Sequence, residues 1–76
     1  KDIFMTAMTT IRINHDALPR EFDRSRPDIV AGIIQTALRE AGVRADATDG
    51  AASLRIDLPT VQLAKASAVL VDLKLI

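Results

Sequence analysis

Asn14-His15-Asp16 is the one place in this 76-residue chain where an imidazole stands beside a carboxylate, the pairing that general acid–base catalysis and many metal sites use. Adjacent residues rarely aim at one point, and His15 is the only histidine. With no cysteine and no Asp or Glu at ligand spacing from it, a solvated loop histidine is the expectation. Ser25, Ser53 and Ser67 could each supply a hydroxyl nucleophile, but none lies in a glycine-flanked elbow and His15 could activate one at most. The three glycines, Gly32, Gly42 and Gly50, are too scattered to build a phosphate-cradling loop. The chain is therefore expected not to be an enzyme and to need neither cofactor nor metal.

Charge offers a different chemistry. Ten basic and ten acidic residues cancel, so no global field draws the chain to nucleic acid or to an anionic membrane, and any such binding has to be local. Arg12, Arg44 and Arg55 are the candidates for it, because each falls on the polar side of an alternating segment and the three could share one sheet face as an anion or RNA-backbone contact. That face has no aromatic side chain for bases to stack on, and Asp46 and Asp57 beside the arginines would neutralise part of their charge. A second mixed-charge stretch, residues 20–26, surrounds Phe22; arginine beside an aromatic suits an interface contact, but the favoured reading is that Phe22 plugs one end of the core while its neighbours stay solvated.

Nearly half of the residues are hydrophobic, yet there is no Trp or Tyr and only Phe4 and Phe22, so the core must be assembled from Ile, Leu, Val and Ala. A chain of this length builds one small domain whose stability is helped by association with another subunit. The absence of cysteine removes disulfides and fits a cytoplasmic location. The longest apolar-rich run, residues 66–76, is short and carries Asp72 and Lys74, so membrane insertion is not expected. Because the chain opens with Lys1 while Met5 and Met8 are both plausible starts, residues 1–8 are expected to be flexible or vector-derived and residues 9–76 to form a single α+β domain.

Four elements must position these residues. Thr9, Ile11 and Ile13 alternate with Thr10, Arg12 and Asn14, the pattern of a half-buried strand. Pro27 and Asp28 suit a first helical turn, Val30, Ile33, Ile34, Ala37, Leu38 and Ala41 form the apolar stripe behind it, and Gly42 can close the helix. Gly32 inside it costs about 1 kcal/mol relative to alanine and is read as a tolerated cost in preference to the alternative, a close backbone approach at that point. Asp49-Gly50 then sits between two alternating runs, which predicts a hairpin with Gly50 at positive φ and with Thr48 opposite Ala51, Asp46 opposite Ser53 and Arg44 opposite Arg55. The last element starts at Pro59-Thr60 and reads as a helix with two apolar rows. Val61, Ala64, Ala68, Val71 and Leu75 are expected to cover the sheet, leaving Leu63, Ala66, Leu70 and Leu73 as a face that wants a partner. The competing reading ends this helix near Ala68 and makes residues 69–76 a strand.

The order predicts a βαββα domain, a three-stranded antiparallel sheet with two helices on one face, or alternatively a ferredoxin-like βαββαβ domain with its last strand at residues 69–76. In topology alone, the first of these resembles the small ring-building modules of secretion-system proteins and KH domains, but the Gly-x-x-Gly loop with which a KH domain clamps nucleic acid is missing. The function expected is a non-catalytic protein interaction or self-assembly module, homo-oligomeric or bound to another protein, with Leu63, Ala66, Leu70 and Leu73 or an open sheet edge as the contact. The alternative is a small nucleic-acid-binding domain using Arg12, Arg44 and Arg55.

Overall fold

Leu54, Ile56 and Leu58, alternating with Arg55 and Asp57, make the central strand, and everything else is arranged around it. In the computed structural model, which describes residues 7–23 and 25–76, the elements are β1 (Met8–Asn14), a 3-10 turn (His15–Ala17), α1 (Pro27–Glu40), β2 (Asp46–Asp49), β3 (Ser53–Pro59), a second 3-10 turn (Thr60–Gln62) and α2 (Leu63–Asp72). The strands form one antiparallel sheet in the order β1-β3-β2. This is the expected βαββα fold, with both helices on the apolar face of the sheet. The chain leaves α2 in a turn, so the ferredoxin-like alternative with a strand at residues 69–76 does not form. Residues 1–6 of the expected N-terminal segment lie outside the described residues. Met8, assigned to that segment, instead begins β1.

One cluster of buried aliphatic side chains holds the layers together. Ile13 on β1, Leu54, Ile56 and Leu58 on β3, Val43 and Ala45 before β2, Val30, Ile34 and Leu38 on α1, and Ala66 and Leu70 on α2 are all shielded from solvent. No polar or charged residue is among the buried ones described. Phe22 packs against this cluster from the connecting loop, as expected of a plug. The stripe on α1 is rotated slightly from the predicted one: Ala31 is buried and Ile33 is exposed, together with Ile29. A Cβ added at Gly32 would meet nothing within 4 Å, so this glycine is a helix cost and not a close approach.

Both helices end in the same way. After α1, Gly42 takes a φ of 89°, its N–H bonds the Arg39 carbonyl, and Val43 N–H reaches back to Leu38. After α2, Lys74 takes a φ of 63°, its N–H bonds the Val71 carbonyl, and Leu75 N–H reaches back to Leu70. Each is a Schellman cap, in which a left-handed residue lets two orphan carbonyls find donors while an apolar residue beyond it folds back onto the helix. Val43 and Leu38, and likewise Leu75 and Leu70, are buried in the one core cluster.

The hairpin forms, but not at the predicted turn. Asp46 pairs with Asp57, Ala47 with Ile56, Thr48 with Arg55 and Asp49 with Leu54, which places Ala51 and Ala52 at the tip. Gly50 donates its N–H to the Ser53 carbonyl at 2.8 Å and does not have a positive φ. The partner has moved by four residues, an even number, so every side chain keeps the face that alternation assigned to it. The shift also separates Arg44 from Arg55, removing two like charges from opposite positions. Two acids now face each other, but Asp46 takes Arg39 at 2.7 Å and Asp57 takes Arg55 at 3.2 Å.

Candidate interaction surfaces

On the solvent face of the sheet, cross-strand rows can be read directly from the register. Thr10, Asp57 and Asp46 form one row, and Arg12, Arg55 and Thr48 form the next. Arg12 and Arg55 are therefore brought together, directly opposite each other, as a shared face required. Arg44 is not in a strand and falls beyond the acidic row, four residues back from Thr48 or roughly 13 Å along the sheet. The three arginines do not form one cluster. The Thr10 hydroxyl bonds the Asp57 carboxylate, and this bond, with Arg55 and then Arg12 nearby, holds the Asp57 carboxyl below the usual aspartate range. An open depression of about 690 Å³ at the end of this face is lined by Met8, Pro59, Arg39 and Arg44 among others.

The histidine is less solvated than expected. His15 is half-buried in the first 3-10 turn, and its Nε2 is buried without a hydrogen-bond partner. No nucleophile is bonded to it, and no group of three or more His, Asp or Glu residues able to hold a metal exists among the described residues. No helix among them is long and apolar enough to cross a membrane.

Within α2 the two apolar rows are placed the opposite way round from the prediction; of the row expected to cover the sheet, only Leu75, beyond the end of the helix, is buried. Ala66 and Leu70 are fully buried in the chain's own core, and Leu63 and Leu73 pack half-buried against it, so these four do not form an outward contact face. Val61 is 89% exposed and Val71 is 55% exposed, with Ala64 and Ala68 also exposed between them. Two causes are visible. The inward row carries three leucines against the outward row's valines and alanines, so more apolar area leaves water this way. Gln62 also clamps the connection after α1: its side-chain carbonyl accepts from Arg44 N–H at 2.8 Å, and its amide donates to the Gly42 carbonyl at 2.9 Å. Ala66 and Leu70 follow Gln62 at four-residue intervals and so face the same side.

The edges of the sheet differ from each other. β3 is central, leaving β1 and β2 each with a free side. The outer side of the β2 segment is met by α1: Gln35 accepts from Ala47 N–H at 2.8 Å, and Arg39 donates to the Ala45 carbonyl at 3.1 Å. On β1, the bonds Thr60 N–H to Ala7 and His15 N–H to Ala52 show that odd-numbered residues point their backbone groups at β3. Met8, Thr10 and Arg12 therefore turn N–H and C=O outward, and no described side chain or backbone group meets them. Neither proline nor a bulge interrupts the strand. An open sheet edge is one of the contacts the sequence leads one to expect, but alternation alone does not say which strand supplies it. No family model, no curated protein and no solved structure matches the chain.

Proposed function

We propose that this chain is a non-catalytic protein-interaction module that binds by strand addition along β1. The observation that carries the reading is the contrast between the two edges: α1 side chains occupy the β2 edge, while β1 presents a run of backbone groups that no described residue meets. Such an edge is a template for an extended segment, with main-chain hydrogen bonds supplying the attraction. Amide exchange tests this with an uncharged, alternating Thr/Val peptide as the probe. The Thr10 and Arg12 amides should exchange freely in dilute protein and become protected when the peptide is added. Protection elsewhere, or none on β1, overturns the reading. The nucleic-acid alternative draws on the opposed Arg12 and Arg55, but the Asp46–Asp57 row beside them and the lack of aromatics on that face weigh against it. A titration of single-stranded RNA at low salt separates the two.

A further inference from the structure

We propose that the strand taken up by β1 is the β1 of a second copy, paired antiparallel about a twofold axis at Ile11 so that two three-stranded sheets become one of six strands. This names the partner within the strand-addition reading and rests on it. Register carries the argument. The outward groups belong to even-numbered residues, so two copies must set even against even. Met8 against Asn14 and Thr10 against Arg12 satisfies this and overlaps the whole of β1 in both copies. A partner shifted by two residues shortens the overlap and sets either Thr10 on Thr10 or Arg12 on Arg12. The second of these places like charges directly opposite.

Charge points to the same register. Among the described residues Arg12 has no ion pair, and across β3 it meets Arg55. In the paired dimer, Arg12 of the second copy lies beside Thr10, in the cross-strand row that contains Asp57. Two strand spacings, roughly 10 Å between backbones, separate it from that acid, a gap that two extended side chains span above the short Thr10. Each Arg12 thus lies over an acidic row of the other subunit. On the opposite face Ile11 meets Ile11, and Ile13 meets Thr9. Both sheets keep their helices on one side, so the pairing needs no rearrangement of either core.

Sedimentation equilibrium on the intact chain, from micromolar to millimolar protein, reads the association. Because the chain has no cysteine, single introduced cysteines report the register. Ile11→Cys brings two thiols together across a non-hydrogen-bonded pair, with Cα atoms about 4.5 Å apart and within disulfide reach. Thr9→Cys places them four residues apart along the strands, out of reach. The expected result is a dimer that cross-links through Ile11→Cys and not through Thr9→Cys. Arg12→Pro removes one outward donor on an edge, where proline is tolerated, and should give a monomer with an unchanged circular dichroism spectrum. A wild-type chain that stays monomeric at millimolar concentration overturns the second copy, and peptide protection of Thr10 and Arg12 would then still uphold strand addition. A dimer that survives Arg12→Pro overturns both. Cross-linking through Thr9→Cys as fast as through Ile11→Cys overturns the register.

Discussion

The two Schellman caps form a matched experiment, because the same backbone device uses glycine at Gly42 and lysine at Lys74. A side chain with a Cβ in the left-handed region costs roughly 1–2 kcal/mol, and glycine's greater freedom in the unfolded chain offsets roughly 0.4–1 kcal/mol of that. Lys74→Gly should therefore stabilise the domain by about 1 kcal/mol, and Gly42→Ala should destabilise it by about the same amount. Sterics do not blur the comparison, since a Cβ on Gly42 would meet only Lys65 Nζ, at an ordinary 3.6 Å. Urea unfolding followed by far-UV circular dichroism is the assay, the chain having no Trp to report by fluorescence. With a slope near 1 kcal/mol per molar for so small a protein, the midpoints should move by about 1 M in opposite directions. Protein concentration must be held fixed and low, because association would add to the apparent stability. The sites sit on different helices, so the double variant should return close to wild type. Two shifts of the same sign, or no shift for Lys74→Gly, would refute the shared-cap reasoning.

Gly50→Ala should destabilise by about 1–3 kcal/mol, because its Cβ would lie 2.9 Å from the Ser53 carbonyl oxygen and the strand ends would have to part; an unchanged urea midpoint rejects the observed turn. Gly32→Ala should stabilise by about 1 kcal/mol in the same assay, and a loss would mean that something approaches α1 there. Leu70→Ala should cost about 2–5 kcal/mol while Val71→Ala stays within about 0.5 kcal/mol, and the reverse ranking would restore the predicted orientation of α2. The lowered Asp57 pKa means that the unfolded chain binds that proton more readily, so the Asp57 contribution to stability is present above the ordinary aspartate range and is lost as pH falls through the folded value. Thr10→Val should raise the Asp57 pKa in a carboxyl NMR titration, and an unmoved titration would show that the hydroxyl bond is not its main cause.

Period-two patterning reported facial identity well and strand partners poorly, for a reason visible in the hairpin. Leu54, Ile56 and Leu58 turn inward under the predicted pairing and under the observed one alike, since a slip of four residues leaves parity unchanged. Burial therefore does not choose between the two turns. The Asp49-Gly50 signal rested on positive φ, but the turn that forms has Ala51 and Ala52 at its tip and places neither them nor Gly50 in the left-handed region. In α2 the period was right and the phase was wrong. Two apolar rows compete for one sheet, and the larger side chains of Leu63, Leu70 and Leu73 decide between them.

What alternation does not record is strand order, and the candidate site depends on it. β1 and β3 carry similar patterns, yet one is an edge and the other is paired on both sides. Which edge stays open is decided by residues that look like ordinary solvent-facing helix positions. Gln35 and Arg39 are one helical turn apart, a rise of about 6 Å, while the Ala47 N–H and Ala45 carbonyl they meet are two strand residues apart, about 6.6 Å. Because the two rises nearly match, a helix running antiparallel to β2 can engage successive outward groups of that segment with side chains spaced by four. Thr10 and Arg12 offer the same two-residue spacing along β1, and no described helix runs beside them to use it. A strand supplies that spacing as well as a helix does, and a second β1 supplies it with the complementary order of donors and acceptors.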